Sequence, residues 1–416
     1  MKLRHRSITL RAIRYFWRQW RDELTPAGKI AVWGICVTGM GTVSVLMPIY
    51  QLFFGLVMLL SIAATAGYFF RPHVLILGDF PDHGTAGRPL TAAFTLKNLR
   101  RLPAYDVGLN FLGLPEVFET ELDRDMIPRL GAGESAAISV TITPKRRGRY
   151  QLPDLRAYST FPFYLGRSGK VSKSVAPLIV VPNFEPISML ALPTGSRYQP
   201  GGIALTSHVG ESPEYIGNRD YVPGEPIRRL DFRAWARTGK PVVREYQEEY
   251  YCRVALVLDT FVAPNRRAGS RGFEDLEAAV SLTAAVAEFL SGGEHIIDLF
   301  AAGPELHVFR SGRHTAHFEN VLEILAGVEP CRDDPFAKLG PAVSDELLRI
   351  STAVVVLLVW NESRRQLLDR ITEAGCRLRT FLIVRDSRNS MVDPTEIPEC
   401  TVLDVADLAR GSLELR

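Results

Sequence analysis

From Ile30 to Phe70 the chain reads IAVWGICVTGMGTVSVLMPIYQLFFGLVMLLSIAATAGYFF, 41 consecutive positions without Asp, Glu, Lys, Arg or His. A soluble helix keeps a polar face toward water, and this run has none. A bilayer core takes about 20 apolar residues per helix. The run is long enough for two spans, with Pro48 and Tyr50 near the bend, so the expectation is a transmembrane helical hairpin over 30–70. The tripeptide Ala64–Ala66 imitates a signal cleavage site, but the leader before the run is too long and the run outlasts a signal-peptide core. Gly39 and Gly41, inside the first arm, suit helix packing.

The flanks orient this hairpin. Residues 1–29 form a basic leader, with Lys2, Arg4, Arg6, Arg11, Arg14, Arg18, Arg21 and Lys29 against only Asp22 and Glu23. Positive flanks stay in the cytoplasm, and a hairpin returns the chain to the side it left. Everything after residue 71 is therefore expected in the cytoplasm. Trp17 and Trp20 suit the leader to an anionic membrane surface. The net charge of +3 makes no case for nucleic acid. The five cysteines form no CxxC pair and read as reduced thiols.

The soluble part has two textures. Over 71–185 short alternating runs such as SAAISVTIT (Ser135–Thr143) are separated by GTAGRP, GAGE and KRRGRY, which predicts a small β-sandwich. Residues 186–250 read as a Gly-, Ser- and Pro-rich linker followed by an Arg-rich segment. Over 251–416 apolar strands alternate with helices: RVALVLD, then FEDLEAAVSLTAAVAEFLSGG, HIIDLFAAG, ELHVFRS, HFENVLEILAGV, AVSDELLRIS, TAVVVLLVW, SRRQLLDRITEAG, RLRTFLIV and CTVLDV. That pattern predicts an α/β domain with a doubly wound, mainly parallel sheet. Ligands of such sheets bind at the carboxyl ends of the strands, where Asp259 and Asn361 fall.

Two stretches could carry chemistry. The first is NRDYVPGEPIRRLDFRAWARTGKPVVREYQEEY, Asn218 to Tyr250, with seven Arg or Lys residues. Pro223-Gly224 signals a type II turn. Glu225 before Pro226 suits the first turn of a short helix ending at Gly239. On such a helix Arg229, Arg233 and Arg237 share one face, Phe232 and Trp235–Ala236 pack inward, and Asp231 reaches Arg228 or Trp235. The face would dock an acidic partner, a phosphate or the membrane surface; alternatively, Glu225, Asp231, Glu245, Glu248 and Glu249 hold the arginines in an internal network. The second stretch is VLDTFVA, Val257 to Ala263. An Asp after the first strand is how a metal-dependent adhesion site, D-x-S-x-S, begins its Mg²⁺ shell, but the two Ser positions are Phe261 and Ala263. Asp259 is thus a candidate ligand of a degenerate metal site, or the partner of an arginine. No phosphate-cradling loop, HExxH or GxSxG occurs, and no nucleophile–base pair supports a hydrolase.

The order of these parts resembles the domain-of-unknown-function-58 family. The signature R-x-Y-x-P-G-[DE]-x-x-R is matched at Arg219, Tyr221, Pro223, Gly224, Glu225 and Arg228. It continues through Leu230, Asp231, Phe232, Arg233, Ala236 and Arg237. The resemblance implies a bacterial inner-membrane protein with a von Willebrand factor A-like domain, working beside MoxR-type AAA+ ATPases and other von Willebrand factor A-like proteins in assembly or maturation of complexes. The expectation is a non-enzymatic scaffold or adaptor without a cofactor. Its partner-binding residues would be Arg219, Tyr221, Glu225, Arg228, Arg229, Asp231, Arg233, Trp235 and Arg237, its partners a MoxR-type ATPase and, through the hairpin, membrane lipids. The alternative is a divalent-metal-dependent protein-binding domain using Asp259.

Overall fold

A computed structural model describes residues 23–41, 49–111, 113–120, 125–192, 215–223, 230–246, 253–292, 295–302, 306–310, 317–347, 349–385, 393–408 and 414–415. The chain forms two compact units. The first is Met1–Asn183 with Arg267–Phe273 and Leu322–Gly327, and the second is the remainder.

The first unit opens with helices α1 (Pro26–Gly41) and α2 (Ile49–Phe69). They pack through small residues: a Cβ added at Gly34 would lie 3.1 Å from Leu56, and one at Gly39 3.3 Å from Phe53. Among the described residues, α2 alone is long and apolar enough to cross a membrane. Helix α1 has 16 residues, about 24 Å at its rise of 1.5 Å per residue, short of the roughly 30 Å hydrocarbon core. Its first turn also lies against protein, with Thr25 and Gly28 buried. Among the described residues the expected two spans thus reduce to one candidate helix.

The rest of this unit is β-structure. Its strands are β1 (Val74–Leu77), β2 (His83–Thr85), β3 (Leu90–Asn98), β4 (Ala104–Phe111), β5 (Phe118–Thr120) and β6 (Ile127–Leu130). They continue as β7 (Ser135–Pro144), β8 (Gly148–Gln151), β9 (Leu155–Ser159), β10 (Ser168–Lys173) and β11 (Pro177–Val181). Two four-stranded sheets, β1-β3-β7-β5 and β10-β9-β4-β6, accompany a small β2-β11-β8 sheet. The alternation read in the sequence appears as burial: Ile138, Val140 and Ile142 of β7 point inward. They share one core with Phe94 and Leu96 of β3, Val107 and Phe111 of β4, and Leu155 of β9.

Both helices are seated on the sandwich. Thr25 donates its amide to Leu165 O at 3.3 Å and its hydroxyl to Tyr164 O. Arg100 donates from Nη1 to Phe69 O, at the end of α2, at 2.9 Å. The seats are too close for side chains: a Cβ at Gly28 would lie 1.9 Å from Leu165 O, and one at Gly67 2.6 Å from Ser168 Oγ.

In the second unit β12 (Met189–Leu190) pairs with β21 (Glu414–Leu415), and β13 (Tyr215–Asp220) with β14 (Val242–Tyr246) around α3 (Phe232–Thr238). The main sheet has order β17-β16-β15-β18-β19-β20. Its strands are β15 (Arg253–Leu258), β16 (Ile296–Ala302), β17 (Leu306–Arg310), β18 (Thr352–Leu357), β19 (Arg377–Val384) and β20 (Cys400–Asp404). All pairs are parallel except β16 with the edge strand β17. The helices are α4 (Glu274–Ser291), α5 (His317–Gly327, whose residues from Leu322 onward belong to the first unit), α6 (Phe336–Ser344), α7 (Glu362–Glu373) and α8 (Val405–Leu408).

Ala255 and Val257 of β15 and Ala353, Val355 and Leu357 of β18 share a core with Phe336, Leu339 and Val343 of α6 and Leu367, Leu368 and Ile371 of α7. The alternate residues, Val254, Leu256, Val354 and Val356, are equally buried on the opposite face. Helix α4, which touches β15, β16, β18 and β19, covers that face. One boundary moves. The helix expected over 342–351 runs from Phe336 to Ser344, because the apolar stripe Phe336, Leu339, Gly340, Val343 lies one turn earlier and tolerates Pro341.

Gly28→Val forces the α1 seat apart, so it should lower stability by about 1–3 kcal/mol, as overpacking does. Thermal unfolding of the detergent-solubilised chain measures this.

Candidate functional site

Strand β15 lies between β16 and β18, so consecutive connections depart to opposite sides of it. The crevice at such a reversal is where open α/β sheets place ligands. Asp259 stands there, at the carboxyl end of β15, fully buried. Its neighbours come from three directions. The loop after β15 pairs with Cys331, Val262 N donating to Cys331 O and Cys331 N to Thr260 O, both at 2.9 Å. That pairing carries in Asp334 and Phe336. The loop after β18 brings Asn361, whose Oδ1 caps α7 by accepting from Arg364 N at 3.2 Å.

Helix α7 supplies the residue that fills the crevice. Arg364 is wholly buried and projects from the same stripe as Leu367, Leu368 and Ile371. Its Nη2 donates to Asp259 Oδ1 at 2.9 Å and its Nε to Oδ2 at 3.2 Å. Nη1 donates to Asp334 Oδ1 at 2.8 Å and Asn361 Oδ1 at 3.2 Å. The guanidinium lies 4.3 Å from the Phe336 ring and 5.5 Å from the Phe261 ring. Backbone amides complete the carboxylate's shell: Phe261 N donates to Oδ1 at 3.0 Å and Leu358 N to Oδ2 at 3.2 Å. Burial pushes the Asp259 carboxyl upward, and Arg364 with the two amides pulls against it. For Asp334 burial also pushes upward, but hydrogen bonds from Ser363, the Phe336 amide and Arg364 outweigh it and leave the group below the ordinary range.

Asp259 therefore has an arginine as its partner, as the alternative to a metal site expected. Both its oxygens face an internal cation, and a divalent ion would have to displace Arg364 to reach them. The two positions that would continue such a shell are Phe261 and Ala263, which offer no side-chain oxygen. Phe261 stacks on the guanidinium, and no group of three or more His, Cys, Asp or Glu side chains disposed for a metal occurs among the described residues.

The Arg-rich stretch forms a second, exposed site. Its helix begins later than expected: α3 starts at Phe232 because Asp231 caps it, Oδ1 accepting from Arg233 N and Ala234 N at 3.0 Å each. Gly239, at φ 69°, closes it in the left-handed region. Asp231 Oδ2 accepts from Arg244 Nε at 3.2 Å, a cationic partner supplied by β14. The amide of Ala234 and then Arg244 hold its carboxyl at about 2. Arg233 and Arg237 share an exposed helical face. Phe232 and Trp235 do not pack inward; they are 62% and 37% exposed and stack on each other, centroids 6.2 Å apart. The residue that packs inward is Ala234. Arg219 lies exposed on β13, and Tyr221 N donates to Pro241 O at 2.9 Å. Glu225, Arg228 and Arg229 lie outside the described residues, as do Glu248 and Glu249 of the alternative network.

This hairpin and the main sheet fall within one recognised segment. Residues 217–411 match the profile of the family described as "Protein of unknown function DUF58". That match supports the DUF58 family. No curated protein matches the chain. Among solved structures, the solution structure of a CARDB domain from Pyrococcus furiosus is 13% identical, covering 26% of this chain and 95% of its own, with a TM-score of 0.18. A GH20 exo-β-N-acetylglucosaminidase from Vibrio harveyi, bound to N-acetylglucosamine, is 11% identical over 76% of this chain and 57% of its own, TM-score 0.16. Its inactive D437A form is 8% identical over 80% and 78%, TM-score 0.16. At such scores neither fold nor activity transfers.

Arg364→Met strands the Asp259 carboxylate in an apolar crevice and should cost about 3–5 kcal/mol in denaturant unfolding. Mg²⁺ should leave the wild-type melting temperature unmoved, since a bound ion would raise it. The Asp231 pKa is depressed on folding. Its stabilising contribution is complete above the ordinary value of 3.8 and lost as pH falls through about 2. Asp231→Asn should therefore flatten the pH dependence of stability over that window, measured by urea unfolding at stepped acid pH.

Proposed function

We propose that this chain is a membrane-anchored, non-enzymatic scaffold or adaptor whose α/β unit docks a protein partner through α3. The observation that carries this is the exposed Phe232–Trp235 stack flanked by Arg233 and Arg237. Aromatic and Arg side chains are what protein interfaces concentrate at their energetic centres. Asp231 and Gly239 fix the helix that presents them, so little ordering is left for binding. The contrast with the sheet's crevice points the same way, since Arg364 already fills the place where such sheets hold small ligands.

The DUF58 resemblance suggests a MoxR-type AAA+ ATPase as the partner and assembly or maturation of protein complexes as the process. The sheet order, with β15 central and β17 antiparallel at one edge, supports a doubly wound, von Willebrand factor A-like reading of the second unit. Helix α2 supports the anchor. Because α1 begins and α2 ends on the same sandwich, the chain returns to the side it left, and the positive leader favours the cytoplasmic side of a bacterial inner membrane for the soluble units.

The test is affinity capture of the tagged full-length chain from native membranes in mild detergent, with and without ATP. Wild type should recover an AAA+ ATPase in an ATP-dependent way. The double variant Arg233→Glu, Arg237→Glu should lose it while keeping the wild-type melting temperature, because both side chains are exposed. A collapsed melting transition would make the arginines internal struts and overturn the docking role.

A further inference from the structure

Several features of the first unit converge on the sandwich end that receives both helices. Helix α1 starts there, with Thr25 bonded to Tyr164 and Leu165. Helix α2 ends there, with Phe69 O accepting from Arg100. Phe70 meets Phe161 edge-on at 5.3 Å, and Phe161 meets Tyr105 at 5.2 Å. Around this seat the sandwich turns apolar side chains outward. Leu99 and Leu102 are 62% and 61% exposed, and Phe163 and Tyr164 are 47% and 41% exposed. Arg100 and Arg101 lie between the two leucines.

The loop that presents these leucines is held firmly. Asn98 is buried, and its Nδ2 donates to Leu102 O, Leu130 O and Gly131 O at 2.9–3.1 Å. Its Oδ1 accepts from Arg100 N at 2.9 Å. Leu99 N donates to His73 O at 2.9 Å, just past the end of α2. Leucine at such exposure on an ordered turn is costly in water. What lies beside it settles what covers it. Where α2 leaves a bilayer, the next layer is the headgroup region, and the exposed ring lies at that level. Aromatic rings with adjacent Arg are the composition that the interface selects, and the cytoplasmic leaflet supplies anionic headgroups for the arginines.

We infer that the sandwich end formed by Leu99, Arg100, Arg101, Leu102, Phe163 and Tyr164 is an interfacial surface that seats in the headgroup layer of an anionic membrane. The leucines and rings enter the acyl boundary, and the arginines bind lipid phosphates. This rests on the anchoring role proposed for α2.

The test uses full-length protein in phosphatidylcholine vesicles with and without phosphatidylglycerol. Cysteines at Leu99, Leu102 or Phe163 carry an environment-sensitive fluorophore, with the equally labelled unsubstituted chain subtracted. A control cysteine replaces Glu116, beside the turn into β5 at the other end of β7. Strand β3, which pairs along β7, places that end about 26 Å away at 3.3 Å per residue. Labels at 99, 102 and 163 should lose quenching by aqueous iodide and gain quenching by a shallow nitroxide lipid, while 116 stays open to iodide. Arg101→Glu should return the label at 102 to iodide in phosphatidylglycerol vesicles. Equal iodide quenching at all four positions, in protein that stays with the vesicles after an alkaline carbonate wash, overturns the surface alone. Release of the protein by that wash overturns the anchor and the surface together.

Discussion

Arg364 and Asp259 meet where the two central strands of the sheet end, and the surrounding loops are organised by that meeting. A buried guanidinium demands acceptors for every N–H. It finds them on Asp259, at the end of β15, on Asp334, from the loop ahead of α6, and on Asn361, the cap of α7. One side chain thereby joins three connections that are distant in sequence. Such a pair adds little net stability over apolar residues of equal volume, but breaking either half leaves an uncompensated charge. Phe336 and Phe261 exclude water from it, which raises the cost of any vacancy.

Much of this fold could be read from the residues. The alternation of Ile138, Val140 and Ile142 specified a half-buried strand, and continuous apolar runs such as TAVVVL specified strands covered on both faces. The placement of Asp259 at a strand's carboxyl end was equally legible. Its partner was harder to see, although a signal was present. Arg364 occupies the apolar stripe of its helix, with Leu367, Leu368 and Ile371, where a charge is out of place unless it is paired. The helix around Asp231 illustrates the opposite limit. Pro226 marked the expected start, but the helix begins after Asp231, whose carboxylate caps it and also binds Arg244, a residue brought in by strand pairing rather than by sequence proximity.

The aromatic residues of α3 invert the usual expectation that Phe and Trp go inside. Helix α3 has seven residues and its inward face is filled by Ala234 alone. A helix that short cannot bury two large rings and also keep its cap against β14. The rings stack on each other instead, which reduces the apolar area each gives to water.

Gly28 and Gly67 mark where backbone lies directly on backbone or on a short side chain, without intervening flexible groups. Contacts of that kind transmit torque. A sandwich joined by a loose tether would swivel and sample every attitude about its helices, and a ligand would have to arrest that motion on arrival. Here the helices and the sandwich turn as one piece, so the attitude of the sandwich is decided at folding. Its rotational entropy is given up once, before any ligand arrives.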